Sequence, residues 1–524
     1  MADSPGEQEY EAAGVPPYSW YALGVLVVVY LLNFVDRQIL SILANDIKAD
    51  LGLDDAQLGF LYGTAFAIFY ALFGIPLGRL ADNWHRIRLL SLGLALWSCM
   101  TVLSGFARNA ATLTLARVGV GVGEATASPC AYSLIGDWFP QRLRATALAI
   151  YSAGLFLGSG LSLVIGGAIV EAWNAAYPSN PPLGLAGWQA AFVAVGLPGI
   201  ALAVWVLSLR EPRRGGFEGI ASRPVPAPVR DFLNQLVDLL PPLTLIGAAR
   251  RGMAALTLNL AAALALALVA WFLSGWTGNG EQFWFLALGY YAVFSWTCAL
   301  RRRDYPTFRL TWGSPCFMAI VVAYAAVCFV GYSISYWAAP YAERSFAVGK
   351  TELGLLVGAP AALGGFLGVI LGGRLADLLF RRWAGGRVLV LLIAVLGTVP
   401  VMVLGYTTTD PATFYVCAFL AQVTTSSALG ASAAASQALV LPRMRGTATA
   451  IFFLGTTLLG LGLGPFTVGY VSETSGSLGH GVLASLVAVP VGLAAVAVGF
   501  LGYARAFAGH REQARAAGET LASA

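Results

Sequence analysis

LTLARVGVGVGEATASPCAYSLIG, from Leu113 to Gly136, is the stretch that decides the fold class. A membrane-spanning helix needs about 20 apolar residues, and this stretch is long enough. Its interior nevertheless holds Arg117 and Glu124, which are two helical turns apart and therefore share one face. Each charge costs roughly 2.5–3.5 kcal/mol at the centre of a membrane helix. The pattern predicts a membrane helix with a functional charge pair, and a structural ion pair with a snorkelling arginine is the alternative.

The composition of the whole chain is that of a multi-pass membrane protein. Of its 524 residues, 58% are hydrophobic and 11% are charged, whereas a soluble domain carries about 25% charged residues. The first 19 residues are polar and acidic and lack the basic segment and cleavage site of a signal peptide, so we expect the first helix to be retained. The six cysteines lie in or beside apolar segments, which predicts core residues and neither a disulfide framework nor a zinc site. We expect no cofactor and no metal.

The order of apolar segments predicts an all-α membrane protein with fourteen spans arranged as six, two and six. An arginine- and proline-rich linker follows the first six, and its segment 231–249 is amphipathic, as in helices that lie at the membrane surface. The predicted domains are an N-terminal tail (1–19), a six-helix bundle (20–209), a linker with an interfacial helix (210–252), two extra helices (253–300), a loop (301–314), a second six-helix bundle (315–508) and a C-terminal tail (509–524).

The distribution of basic residues predicts the orientation. If the N-terminus is cytoplasmic, most of the 31 lysines and arginines fall in cytoplasmic loops, as the positive-inside rule requires. Only Lys48, Arg108, Arg344 and Lys350 then lie outside, while Arg37 and Arg117 lie within the membrane. Both termini are therefore expected in the cytoplasm, with the protein in the inner cell membrane.

Two sequence echoes relate the two six-helix segments. GRLAD occurs at Gly78–Asp82 and again at Gly373–Asp377, and RxRxTAxAI occurs at Arg142–Ile150 and again at Arg443–Ile451. Two matches in the same order indicate a duplicated unit. Parallel six-helix repeats are the architecture of major facilitator transporters, which bind substrate between the halves.

The loop after the second segment, Gly78–Arg88, resembles the signature cytoplasmic loop of the major facilitator superfamily. Asp82 closes a helix end and can pair with arginines across the seam between the halves, which would hold the cytoplasmic side shut. Loop arginines that only set topology are the alternative, but they do not explain the repeated aspartate. The predicted cytoplasmic gate consists of Asp82, Arg86, Arg144, Asp377, Arg381 and Arg445.

Three longer stretches resemble the spinster branch of this superfamily: Asn33–Leu61, Leu115–Pro140 and Arg144–Ser162. The most specific part is RVGVGVGEA at Arg117–Ala125, together with Asp36-Arg37. The extra pair at 253–300 departs from the usual twelve-helix pattern. The resemblance implies transport of lysophospholipids, sphingosine-1-phosphate or related amphiphiles, with proton coupling.

The first helix carries a polar face of its own. Asn33, Asp36 and Arg37 follow at helical spacing, and adjacent Asp36 and Arg37 cannot pair ideally with each other, so we expect partners in the Arg117–Glu124 helix. We predict Asp36 and Glu124 as proton carriers, with Arg37, Arg117 and Asn33 as headgroup and coupling residues. A purely structural buried network is the alternative.

The second bundle carries no charged residue at predicted membrane depth, only aromatic, amide and hydroxyl groups. A charged wall facing such a wall would suit an amphiphile with an anionic head, although aromatic residues on helix faces are more often core or lipid-facing. The predicted cavity lining is Tyr332, Tyr336, Trp337, Gln422 and Thr425.

The leading hypothesis is a monomeric, proton-coupled secondary transporter of an amphiphilic anion, whose partners are substrate, protons and the lipid bilayer but not nucleic acid. A transporter of a small organic anion or a drug is the first alternative, and a transport-dead sensor or scaffold is the second. We do not expect an enzyme, because the sequence shows no nucleophile–base pair, metal cluster or phosphate-binding loop.

Overall fold

The computed structural model describes residues 15–214, 227–346 and 348–518, and all regular secondary structure in these ranges is helical. The N-terminal half is a bundle of six membrane helices. They are α1 (Pro17–Leu51), α2 (Asp55–Asn83), α3 (Arg86–Ser104), α4 (Ala110–Glu124, continued by Ala127–Trp138), α5 (Gln141–Ala176) and α6 (Gly187–Leu207).

Local signals in the sequence set the ends of these helices. Helix α1 stops at Gly52, whose φ of 64° lies in the left-handed region that glycine adopts without strain. Helix α2 begins with a capping box, in which the Asp54 side chain accepts a hydrogen bond from the Gln57 amide and Gln57 bonds back to Asp54. At the start of α4 the Asn109 side chain accepts a hydrogen bond from the Thr112 amide. These polar caps satisfy backbone groups that a membrane helix cannot leave exposed.

The linker and the extra pair follow the first half. Two short helices, α7 (Pro228–Leu239) and α8 (Leu243–Arg250), meet at an angle of 95°. The extra membrane helices are α9 (Met253–Thr277) and α10 (Gly280–Arg303), and a short helix α11 (Tyr305–Leu310) leads to the second half.

The C-terminal half repeats the six-helix arrangement. Its helices are α12 (Pro315–Ser345), α13 (Lys350–Arg382), α14 (Gly386–Thr407), α15 (Pro411–Gln437), α16 (Pro442–Ser475) and α17 (Leu478–Ala516). Helices α13 and α16 each contain a π-helical turn, at Gly354–Gly358 and at Thr456–Leu461. Such turns interrupt the regular hydrogen-bond ladder and often mark functional positions.

The number of membrane helices agrees with the prediction. Thirteen helices of the described chain are long and apolar enough to cross a membrane by themselves. Helix α4 adds one more, because its two pieces of 15 and 12 residues follow each other through Ala125 and Thr126, whose backbone remains in the right-handed helical region. The predicted all-helical fold of two six-helix bundles with two extra helices is confirmed.

The two halves meet along a seam where α2 packs on α16 and α5 packs on α13. We refer to the end of the bundle where α1 begins and α17 ends as the terminal face, and to the other end as the opposite face. Toward the opposite face the seam is tight: a Cβ at Gly59 would lie 2.8 Å from the Cα of Phe466, and one at Gly160 would lie 2.8 Å from the Cβ of Ala362. Nearer the terminal face, a Cβ at Gly74 of α2 would meet nothing within 4 Å.

The extra pair lies outside the two halves, over the seam between α2 and α16. Helix α10 contacts both sides of this seam, because the Phe285 ring lies 5.2 Å from the Phe60 ring of α2 and the Phe283 ring lies 5.8 Å from the Phe466 ring of α16. Helix α9 packs on the outside of α10, and only 11% of its most apolar stretch of 18 residues is buried.

Helix ends differ from the predicted segment ends. The apolar residues alone indicated a first bundle beginning at residue 20 and a second bundle ending at 508, whereas α1 begins at Pro17 and α17 continues to Ala516. Polar residues at the ends of a membrane helix can remain helical in the headgroup region, where hydropathy no longer marks them. The predicted N-terminal tail lies mostly outside the described residues.

Candidate transport site

An ion pair between α1 and α4 forms the centre of the candidate site. The Arg37 Nη2 atom lies 2.6 Å from Glu124 Oε2, and Arg37 Nε donates to the same oxygen at 3.2 Å. Arg37 is 7% exposed and Glu124 is 1% exposed. Arg37 of α1 therefore has its partner on α4, the helix in which the sequence analysis expected it.

Aromatic rings surround the Arg37 guanidinium group. Its Cζ atom lies 4.8 Å from the Phe34 ring centre, 4.5 Å from that of Phe66 and 4.9 Å from that of Tyr70. Arg117 approaches the same Phe66 ring at 5.4 Å. The negative faces of the rings stabilise a cation that has lost most of its contact with water.

Asp36 and Arg117 are buried next to this ion pair, but several of their polar atoms lack a hydrogen bond of normal geometry in the described ranges. Asp36 is fully buried and faces Arg117, with Trp97 and Thr101 of α3 on its other side. Within the described chain no hydrogen bond of normal geometry reaches either Asp36 oxygen, Asn33 Nδ2, or Arg117 Nε and Nη2. Thr101 and Trp97 nevertheless lie close to Asp36, and Asn33 lies close to Glu124. Polar groups left unpaired in a protein interior are costly and therefore suggest a function other than stability.

A small cavity lies in the seam, one residue along α1 from Arg37 of the charge cluster (Asn33, Asp36, Arg37, Arg117 and Glu124). Its α1 wall is Gln38, the residue after Arg37, which donates to the Ser335 carbonyl oxygen at 2.5 Å and accepts from the Tyr62 hydroxyl at 2.8 Å. The lining is mostly apolar and comes from both halves: Gln38, Ser159, Leu163, Ile334, Ser335, Ala338, Val357, Ala361, Ala418 and Gln422.

The residues of the second half that were predicted to line one cavity lie in different places. Gln422 lines the seam cavity, and Tyr332 is half-buried within electrostatic range of Arg37. Thr425 instead lines a separate small cavity inside the C-terminal half. Tyr336 and Trp337 have no exposed surface.

Tyr336 and Trp337 belong to the closed part of the seam. The Tyr336 ring stacks on the Tyr62 ring of α2 at 4.2 Å, and Trp337 Nε1 donates to the Pro465 carbonyl oxygen at 2.9 Å. Sequence alone could not separate this role from cavity lining, because both place an aromatic residue on the inner face of α12.

At the terminal face, the predicted gate residues with described partners pair within their own half or with the adjoining linker. Arg86 is fully buried and binds Asp137, Ser133 and, at 2.7 Å, Glu211. Asp82 lies near Arg79, Arg86 and Arg214. Arg144 donates to the Gly136 carbonyl oxygen, Asp377 lies 3.9 Å from Arg387, and Arg381 and Arg445 are exposed.

The opposite face carries a polar lock that the sequence did not reveal. Asp55 of α2 binds both terminal nitrogens of Arg344 on α12, at 2.7 and 2.9 Å, and also accepts from Lys48 and from the Ser472 hydroxyl at 2.7 and 2.6 Å. We call Asp55, Arg344, Lys48 and Ser472 the opposite-face lock. It joins the two halves directly.

A second set of contacts strengthens this closure. Lys350 of α13 lies 2.9 Å from Asp46 of α1 and 2.6 Å from Glu343 of α12, and Asn45 donates to Glu343 at 2.7 Å. A signal was available in the sequence, because three of the four basic residues expected outside, Lys48, Arg344 and Lys350, all take part in these contacts. The partners could not be found without the fold.

Two similar halves, a buried charge cluster and a seam closed at one face define the class of two-state membrane carriers that work by alternating access. The family model of the Major Facilitator Superfamily matches residues 26–300, which is more than half of the chain. The chain belongs to this superfamily.

Among curated proteins, the chain is similar to an MFS-type efflux pump of Mycolicibacterium smegmatis, with 29% identity over 88% of this chain and 86% of that protein. It is also similar to a probable L-galactonate transporter of Escherichia coli K12, with 30% identity over 36% of this chain. The chain spans only 39% of that transporter's length.

Among solved structures, the chain is similar to a bacterial homologue of the human lysosomal transporter Spinster in an inward-facing, unoccupied conformation. The TM-score is 0.66 with 26% identity, and the match covers 97% of this chain and all of that chain. The resemblance to the spinster branch is confirmed.

Proposed function

We propose that this protein is a proton-coupled secondary transporter of an amphiphilic anion of the lysophospholipid or sphingolipid type. It would act in the inner cell membrane with the arginine-rich terminal face in the cytoplasm. The observation that carries the proposal is the Arg37–Glu124 ion pair, buried in an aromatic enclosure beside the seam cavity. Closure at the opposite face then corresponds to an inward-facing conformation, like the unoccupied Spinster homologue.

The chemistry follows from the charge balance of the cluster. Two arginines face two carboxylates, so the cluster is neutral when all four are ionised and gains one positive charge when one carboxylate is protonated. An anionic headgroup that takes Arg37 from Glu124 would remove the cation that stabilises the ionised carboxylate, so protonation would favour headgroup binding. Deprotonation would restore the ion pair and release the headgroup.

The seam cavity supports an apolar tail on the substrate. Leu163, Ile334, Ala338, Val357 and Ala361 present hydrocarbon to its interior. Polar groups are few there, and two of them, Gln38 and Ser335, already bind each other. Burial of a hydrocarbon chain against such walls is favourable, whereas a sugar acid would need more hydroxyl partners than these walls offer.

A small organic anion is the second candidate, because one relative is described as a probable L-galactonate transporter. Efflux of a drug-like amphiphile is the related possibility that the name of the mycobacterial relative suggests. Both alternatives assign the same role to the charge cluster and differ from the proposal only in the transported molecule.

The test is uptake into proteoliposomes with and without a pH gradient, in parallel for a fluorescent lysophospholipid and a radiolabelled sugar acid. We expect gradient-driven flux of the lysophospholipid. Glu124→Gln and Asp36→Asn should each abolish gradient-driven flux but retain binding, whereas Arg37→Ala should impair binding. The matched control is Glu512→Gln, an exposed carboxylate of α17. Normal gradient-driven flux in both carboxylate variants would show that the charges are structural.

A further inference from the structure

Arginines gather at the terminal face where the linker meets the extra pair. Helix α8 ends at Arg250, and Arg251 follows it, while α10 ends at Arg301, Arg302 and Arg303. We call these five residues the arginine cluster. Its two parts are in contact, because Arg302 Nη1 donates to the Arg251 carbonyl oxygen at 2.6 Å.

The carboxylates nearby balance only part of this charge. Asp238 of α7 lies 3.2 Å from Arg251 and 2.7 Å from Arg303. The next carboxylate, Asp304, pairs with Arg443 of α16 at 2.8 Å. Among the residues that the structure describes, Arg250, Arg301 and Arg302 form no ion pair.

A buried guanidinium nitrogen of the cluster has no hydrogen-bond partner in the described part of the chain. Arg251 Nη2 is buried and forms no hydrogen bond within the described ranges. Another nitrogen of the same guanidinium group, Nη1, binds Asp238 at 3.2 Å. A buried unpaired guanidinium donor is costly unless an acceptor from outside the chain reaches it.

The cluster lies at the level where a membrane presents its headgroups. Helix α9 begins at Met253, directly after the α8 arginines, and α10 ends in the other three. The bent pair α7 and α8, which leads into the cluster, exposes the apolar side chains Val229, Leu233, Leu243 and Ile246. Apolar residues beside arginines are the pattern of helices that lie in the membrane interface.

We propose that the arginine cluster binds the headgroup of an anionic phospholipid, such as phosphatidylglycerol, in the leaflet at the terminal face. A phosphodiester offers oxygens that match the fork of a guanidinium group, and its negative charge is not offset by an ammonium group as it is in phosphatidylcholine. Arginines that only set topology would explain their number, but not the pairing of Arg251 and Arg303 with one aspartate or the unpaired buried donor of Arg251.

The test uses the purified full-length protein and native mass spectrometry, with equal amounts of phosphatidylglycerol and phosphatidylcholine. The variant R250Q/R301Q/R302Q should reduce retention of phosphatidylglycerol by roughly tenfold or more, given the usual contribution of basic residues near an anionic lipid surface. Retention of phosphatidylcholine should not change. The control R505Q/R511Q/R515Q removes the same charge from exposed positions of α17 and should retain phosphatidylglycerol.

Equal losses in the two variants would mean a net-charge effect and would overturn the proposal, as would no loss in the cluster variant. If the cluster variant cannot be purified, photoreactive phosphatidylglycerol is applied to the unaltered protein. Labelled peptides should then come from residues 243–253 and 301–310, and labelling mainly elsewhere would reject the site. None of these readouts depends on the transported substrate.

Discussion

At the scale of single residues, Arg37 combines charge pairing with aromatic enclosure. Phe66 contributes to both arginines of the charge cluster, since its ring centre lies 4.5 Å from Arg37 Cζ and 5.4 Å from Arg117 Cζ. Two cations can therefore approach each other while only Arg37 has a close carboxylate contact. Removing one partner of a buried pair is far more costly than removing both, because the remaining charge keeps its burial and loses its compensation.

This asymmetry gives the first prediction. Arg37→Ala should lower the free energy of unfolding by about 3–5 kcal/mol, because Glu124 remains buried without its cation. The double variant Arg37→Ala/Glu124→Gln should be clearly more stable than the single one. Thermal unfolding in detergent measures both, with exposed Arg142→Ala as the control. Additive effects would mean that the two side chains do not depend on each other.

Asp304, in the loop between α10 and α11, gives a prediction about pH. Partial burial opposes its charge, but hydrogen bonds from Arg443 and Thr307 outweigh this effect and lower its pKa. A carboxyl group with a lowered folded-state pKa stabilises the protein above its unfolded pKa of about 3.9, and this contribution is lost as the pH falls through the folded pKa.

We therefore expect Asp304→Asn to destabilise the protein by up to about 1 kcal/mol at pH 7, as for other partly exposed pairs. The difference from the unaltered protein should be constant between pH 6 and 8 and should shrink only in strong acid. Melting temperatures measured across this range test it. A difference that changes around neutral pH would assign Asp304 a part in proton sensing.

At the scale of helices, the break in α16 is a junction of three elements. The Gly462 carbonyl oxygen follows the π-helical turn and accepts hydrogen bonds from the Thr64 hydroxyl of α2 and from Gln282 Nε2 of α10, the latter at 3.2 Å. Of the two halves, helix α10 packs mainly on α2 of the first, so its bond to α16 crosses the seam. Alternating access separates the halves at the opposite face and must break this contact.

Gln282→Leu should therefore shift the population toward the state that is open at the opposite face. One net hydrogen bond of about 1 kcal/mol corresponds to a change of about fivefold in the population ratio. The matched control is Gln235→Leu, since Gln235 is also buried but bonds only Asp231 within α7. Cysteine accessibility at the opposite face reports the ratio, and equal accessibility in both variants would exclude a restraining role for α10.

At the scale of the whole molecule, the two faces differ in how the halves are joined. The opposite-face lock connects α1 and α2 with α12 and α16, whereas Arg86 and Asp377 at the terminal face bind partners in their own half or its linker. Ion pairs that form in only one conformation set the balance between conformations, because they contribute to one state alone.

Asp55→Asn should shift the population toward opening at the opposite face by at least about tenfold, since hydrogen bonds to a charged group contribute about 1.5–3 kcal/mol. If Asp82 pairs across the seam when the terminal face closes, as the repeated GRLAD motif predicts, Asp82→Asn should instead favour opening at that face. Spin labels at Arg108→Cys and Thr409→Cys, with the exposed Cys99 replaced by serine, measure the distance across the opposite face. Unchanged distance distributions would remove both residues from the conformational balance.

The sequence by itself determined the elements and their repetition. Long apolar segments set the helices, because a backbone in lipid must satisfy its own hydrogen bonds, and the repeated GRLAD at Gly78 and Gly373 marked the two halves. The spacing of Asp36, Arg37, Arg117 and Glu124 marked the charged helices, since a buried charge is conspicuous among apolar neighbours.

Only the tertiary structure decided which residues meet. Asp55 and Arg344 are 289 positions apart, and no periodicity within one helix relates them. Tyr336, expected in the cavity, packs against Tyr62, and Arg86, expected at the seam, turns into its own half. Hydropathy fixes where a helix crosses the membrane, but its rotation and its partners depend on close packing with other helices, to which residues distant in the sequence contribute.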